Sequence, residues 1–241
     1  MQTKTKGIVL HQVKYTDSSN IVSIYTRQLG KISFIIRRSN NKKAIQHTSL
    51  LQPLSVVEIN FSFHPKRSIH HINELKREFP FSQIPFDPIK SSVAIFMAEI
   101  LGKTLRYTDI DEQLYDFLET SVLELDKCNR GVGNFHLSFM MQLSEYLGFS
   151  PNKDQIETAR FFDLKNGIFE YFQPEHPYFL QPETTAAFKV LVNINFDKLD
   201  ELSLSKSRRT ELLHSLVEYY QLHIAGFQNV SSLDVLQHLW S

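Results

Sequence analysis

The sequence predicts an α+β protein: a small five-stranded β-barrel over residues 1–80, then an α-helical bundle domain over residues 81–241 that carries one β-hairpin at about 160–172. Three observations predict it. Apolar residues recur with period two in the first third and with helical spacing afterwards. A stretch with three prolines, Phe79-Pro80-Phe81-Ser82-Gln83-Ile84-Pro85-Phe86-Asp87-Pro88, separates the two regimes. Charge, zero over the whole chain, divides at the same place.

The strands come first. Ile8 and Leu10 alternate with Val9 and His11, and the runs Ile21 to Tyr25 and Ile32 to Ile36 flank Gln28-Leu29-Gly30-Lys31, where Gly30 supplies the positive φ of a hairpin. After a basic, polar stretch from Ser39 to Thr48 come Leu54 to Phe63 and Ile69 to Leu75. Five short strands with turn signals in so few residues fit a partly open barrel of the OB kind, closed by the connection after the third strand.

The helices follow. Asp87-Pro88 supplies an N-cap and a first-turn proline. Val93, Phe96, Met97, Ile100 and Leu101 then share one helical face. Behind the acidic start Asp109-Ile110-Asp111-Glu112, Leu114, Phe117, Leu118, Val122 and Leu125 share another. A third helix buries Phe135, Phe139, Met140, Leu143 and Leu147 and stops at Gly148. Asn166-Gly167, between Phe161-Phe162 and Ile168-Phe169, signals the hairpin, with burial expected for Phe161, Phe169, Tyr171 and Phe172. Two further helices, around Ala186 to Val192 and from Leu212 to Ile224, precede a short turn at Leu233 to Trp240.

Composition excludes several functions. A hydrophobic share of 42%, with nineteen Phe and nine Tyr, supports filled cores rather than disorder. No apolar run approaches the ~20 residues that cross a bilayer, and the N-terminus lacks a signal-type run, so no membrane contact is expected and the location is cytoplasmic. Cys128 is the one cysteine, which rules out an intrachain disulfide or a multi-thiolate site. Phosphate-loop, dinucleotide, zincin and nucleophile-elbow motifs are absent, and Asp109 with Asp111 reads as helix capping. Of the ten histidines, His70 and His71 point to opposite strand faces, while His214 and His223 lie about two and a half turns apart on opposed faces. No catalytic residue, metal site or cofactor is expected.

The charge split is positive evidence for a polyanion. Residues 1–80 hold thirteen basic and four acidic side chains, net +9, whereas residues 81–241 hold thirteen and twenty-two, net −9. Asp17 is the one acidic residue before Ser55. Surfaces that are merely solvated mix both signs, so Lys4, Lys6, Lys14, Arg27, Lys31, Arg37, Arg38, Lys42 and Lys43 are the expected phosphate contacts. Tyr15 and Tyr25 are the candidates for stacking on unpaired bases.

Three stretches carry a family likeness. Lys4-Thr5-Lys6-Gly7-Ile8-Val9-Leu10 with Ser19-Asn20-Ile21-Val22-Ser23-Ile24-Tyr25-Thr26-Arg27-Gln28-Leu29-Gly30-Lys31, then Leu51-Gln52-Pro53-Leu54, then Tyr219 to Phe227 with Ser231 to Leu236, resemble in order and spacing the RecO family of bacterial DNA repair proteins. The resemblance implies an N-terminal OB-fold and a helical domain. It also implies binding of single- and double-stranded DNA, strand annealing, and cooperation with RecR in loading RecA onto DNA coated by single-strand-binding protein, all associated with the nucleoid. It further implies docking of that protein's acidic tail on the helical domain, for which Lys103, Arg106, Lys127 and Arg130 at helix ends are the candidate contacts. Many members hold zinc through four cysteines; this chain has only Cys128, so metal dependence is not carried over. Two other readings fit the charge split: a protein-interaction scaffold gripping an acidic partner, and an RNA-binding OB module.

Overall fold

The computed structural model describes residues 2–37, 50–106 and 110–239, the last three by backbone alone. They form two compact units, Met1–Lys127 and Cys128–Ser241. Arg38, Lys42 and Lys43 lie outside the described residues.

The first unit begins with β1 (Gln2–Thr16), β2 (Ser19–Thr26), β3 (Gly30–Arg37), β4 (Val56–Ser62) and β5 (Ile69–Arg77). They close into a barrel in the order β1-β2-β3-β5-β4, with β3 and β5 parallel. This is the expected OB arrangement. β1 is long because it serves two partners: Gln2 to Ile8 pair with β4, and Gly7 to Thr16 pair with β2. At Gly7, where both ladders meet, a Cβ would sit 2.5 Å from Ile24 Cγ2, so only glycine lets the strands approach this closely. Gly30 has φ 67° and makes the β2–β3 turn. Val9, Val22, Ile24, Ile32, Phe34, Val57, Ile59, Phe61 and Leu75 fill the interior, each contributing up to ~1.5–3 kcal/mol by burial. Phe34 and Phe61 meet edge to face at 4.9 Å.

Two helices complete this unit, α1 (Pro88–Thr104) and α2 (Glu112–Lys127). Asp87 caps α1 by accepting from the amides of Ile89 and Lys90 at 2.8 and 3.2 Å, as the Asp-Pro signal predicts. The proline-rich stretch is anchored. Asp126 near the end of α2 accepts from the Ser82 amide and hydroxyl, each at 2.8 Å, and from the Gln83 and Ile84 amides at 2.9 and 2.8 Å. Burial opposes ionisation of Asp126, but those donors outweigh it and hold the carboxyl below its ordinary pKa.

The second unit contains α3 (Phe135–Tyr146), α4 (Pro182–Val192), α5 (Lys206–His223) and α6 (Ser232–Leu239), with β6 (Phe161–Asp163), β7 (Ile168–Glu170) and β8 (Phe179–Leu180). The hairpin stands where Asn166-Gly167 places it, and β8 adds a third strand beside β6. Phe162 seats the sheet on the helices, with its ring 4.4 Å from that of Phe188 on α4. Phe161 and Phe169 are buried as expected, but Tyr171 and Phe172 are 52% and 79% exposed. They follow the end of β7, where the alternation that would turn one of them inward no longer holds.

Asp163 organises the turn of that sheet. Its carboxylate accepts from the Lys165 and Asn166 amides at 2.8 and 2.9 Å, from Asn166 Nδ2 at 2.7 Å, and contacts His176 Nε2 at 3.1 Å. The residues present do not fit a zinc ion. A thiolate set cannot be assembled from Cys128 alone, and among the described residues no group of three or more His, Cys, Asp or Glu is placed to hold a metal. Hydrogen bonding by Asp163 and burial of Phe161, Phe162 and Phe169 hold this sheet together instead.

Candidate nucleic-acid interface

Period two assigns faces, but another element can cover a face, and this sorts the basic side chains of the barrel. Lys31 points outward from β3 into the end of α1. It is 8% exposed, and its ammonium donates to the carbonyls of Gly102 and Leu105 at 2.6 and 3.0 Å. These carbonyls at a helix C-terminus lack intrahelical partners, so Lys31 caps α1. The expectation that it holds phosphate is corrected. Tyr25 is corrected likewise: it is 0% exposed, stacks on Tyr115 of α2 with centroids 6.3 Å apart, and points its hydroxyl at the Asp111 carbonyl 3.5 Å away.

Arg27 and Lys6 also face α2. Arg27 reaches Asp116 at 3.1 Å and Glu112 at 3.4 Å, with its guanidinium 5.8 Å from the Tyr115 ring centroid. Lys6 meets Glu78 at 2.6 Å and Glu119 at 4.0 Å, and the hydrogen bond to Glu78 holds its pKa above the ordinary lysine value. Both cations are partly neutralised by acids far away in sequence.

The remaining basic side chains among the described residues of the barrel are open to solvent. Lys4 pairs with Glu58 at 2.9 Å across the β1–β4 ladder, and Lys14 pairs with Asp17 at 2.6 Å at the β1–β2 turn. Such exposed pairs are worth only ~0–1 kcal/mol and exchange readily for phosphate. Arg37 ends β3 and is exposed. Lys66 and Arg67 are exposed in the β4–β5 loop, a position that the sequence reading missed. No carboxylate among the described residues pairs with Arg37, Lys66 or Arg67. The signal was present, since His64-Pro65-Lys66-Arg67-Ser68 joins the fourth and fifth strands, and that loop of an OB barrel is a usual nucleic-acid contact. Tyr15, on the exposed end of β1, is 59% exposed, as a base-stacking side chain requires.

Of the helix-end cations, Lys103 pairs with Glu99 one turn back at 3.4 Å and lines a shallow cleft with His11, Pro53 and Ile95. Arg106 is exposed beyond α1, and Lys127 is exposed in the last turn of α2. Arg130 is exposed in the second unit, where its carbonyl accepts from Cys128 Sγ at 3.1 Å.

Family comparison adds identity to this geometry. Residues 1–80 match the model for the recombination protein O N terminal domain, and residues 85–232 match that for the recombination protein O C terminal domain. The chain belongs to the RecO family. The DNA repair protein RecO of Phocaeicola vulgatus is 39% identical over 241 residues, and that of Bacteroides fragilis is 38% identical, each covering all of both chains. The DNA repair protein RecO of Flavobacterium psychrophilum is 34% identical over 242 residues, again covering both chains. RecO family membership supports a role in DNA repair for this chain. The N-terminal family region ends with the barrel, whereas the first compact unit runs on through α1 and α2 to Lys127. Lys6, Tyr25, Arg27 and Lys31 reach from the barrel to those helices.

Proposed function

We propose that this RecO-family chain is a non-catalytic recombination mediator. It binds single- and double-stranded DNA, anneals complementary strands and, with RecR, helps to load RecA onto DNA covered by single-strand-binding protein. The observation that carries the reading is a closed OB barrel that leaves Arg37, Lys66 and Arg67 without acidic partners among the described residues, in a chain of the DNA repair family. Cations on a rigid barrel neutralise two backbones that otherwise repel, which lowers the barrier to strand pairing without any bond being made or broken. Lys4 and Lys14 join them when phosphate displaces Glu58 and Asp17. The acidic tail of single-strand-binding protein and RecR belong with the helical regions, where Lys103, Arg106, Lys127 and Arg130 are the cations offered to an acidic partner. The site of action is the cytoplasmic nucleoid.

Fluorescence anisotropy with single-stranded DNA across salt, alongside annealing of labelled complementary strands, tests this reading. Five phosphate contacts give a log–log salt slope of about −3.5 for a single strand. A flat salt response, or annealing no faster than that of free DNA, overturns it.

A further inference from the structure

The first compact unit holds both a cationic corner of the barrel and the helix that faces it. Lys6 of β1 and Arg27 at the end of β2 are neighbours: the Arg27 amide donates to the Lys6 carbonyl at 3.0 Å. Like charges opposed on paired strands repel each other, and a polyanion would relieve them. Here α2 does so. Glu112, Asp116 and Glu119 are spaced by four and three residues, so they share one helical face. At 1.5 Å per residue they span about 10 Å, a length over which one strand of a B-form duplex presents about three phosphates. Together with Glu78 they place four carboxylates within 4.0 Å of the two cations.

Charge balance sets this corner apart from the rest of the barrel. Two cations against four carboxylates leave it at net −2, whereas Lys4 and Lys14 pair with one carboxylate each. Asp17, on an exposed turn, can swing clear of Lys14. The acids of α2 cannot, because their helix is fixed. Tyr115 of α2 is buried and stacks on Tyr25, and Asp126 ties the end of α2 to Ser82, Gln83 and Ile84. A phosphate that displaced Asp116 from Arg27 would therefore still face a held carboxylate of its own sign. We propose that the acidic face of α2 is an autoinhibitory contact, which stands in for phosphate at Arg27 and Lys6 and closes this corner of the barrel to DNA. The closure rests on the DNA-binding reading above and sets the extent of the DNA contact.

The test uses the full chain and a labelled deoxythymidine strand, with anisotropy measured across salt for the wild type, E112Q/D116N, R27Q and E112Q/D116N/R27Q. E112Q/D116N frees Arg27 for one more phosphate, so its log–log salt slope should be steeper than wild type by about 0.7. Over the tenfold from 0.1 to 1 M salt that difference is a factor of about five, the expected gain in affinity at 0.1 M. R27Q alone should leave the wild-type slope unchanged, and in the E112Q/D116N background it should abolish the gain. Should the double variant fail to fold, D116N alone, which removes the nearer carboxylate, is expected to shift affinity in the same direction. A slope shallower by about 0.7 for R27Q alone would show that Arg27 already holds phosphate, and overturns the closure. Unchanged slope and affinity in E112Q/D116N overturn it too, as does a gain that survives R27Q in full, which would be general repulsion relieved rather than a cation released. In each of these cases DNA binding still stands. Binding of no strand by the wild type at low salt overturns the DNA-binding reading itself, and the closure with it.

Discussion

Lys31→Met separates a structural cation from a functional one. The Lys31 ammonium gives two hydrogen bonds, at 2.6 and 3.0 Å, to carbonyls at the end of α1, in a position 8% exposed. A hydrogen bond involving a charged group contributes about 1.5–3 kcal/mol, and methionine recovers part of the loss by removing the cost of burying a charge. The expected net destabilisation is ~2–4 kcal/mol, read as a fall in the urea midpoint and melting temperature by circular dichroism. DNA affinity, measured where the variant is folded, should stay within about twofold of wild type, with its salt slope unchanged. K66E/R67E is the converse: stability within ~0.5 kcal/mol, and a salt slope shallower by about 1.4 for two lost single-strand phosphate contacts. Should Lys31→Met fold with full stability and lose one phosphate's worth of salt dependence, the division of cations described here is wrong.

Two further outcomes follow from buried groups in the second unit. His136 is fully buried, and burial, reinforced by Arg209, pushes its pKa down to about 3. The unfolded state takes up a proton near pH 6.5 and the folded state does not, so this contribution is complete above about 6.5 and is lost by up to ~1.4 kcal/mol per pH unit below it; urea titrations of wild type and His136→Gln between pH 7 and 5 should diverge accordingly. Asp163→Ala leaves the amides of Lys165 and Asn166 without their acceptor and should lower stability by ~2–4 kcal/mol, while a strong zinc chelator should leave the wild-type melting temperature unmoved; a chelator-induced fall would show that metal stabilises this chain.

Much of this protein was legible in its sequence because local chemistry determines it. Alternating apolar residues with Gly30 fix the β2–β3 hairpin. Asp87-Pro88 fixes the start of α1, and Asn166-Gly167 fixes the β6–β7 turn, because each depends on residues only a few positions apart. The count of cysteines excluded a four-thiolate metal site for the same reason: it needs no knowledge of what lies nearby. The bias of +9 in the first 80 residues likewise stands without a structure.

Which of those cations remain open was decided only by assembly. Lys4 meets Glu58, Arg27 meets Glu112 and Asp116, and Lys31 meets the end of α1, all across separations that no local pattern reports. Tyr25 and Tyr15 are both outward candidates by alternation, yet α2 covers one and leaves the other exposed. A strand's period states that two faces exist. Whether water, a helix or a carboxylate occupies each face is set by elements dozens of residues away, and that moved the expected DNA contacts from the whole basic third towards Arg37 and the β4–β5 loop.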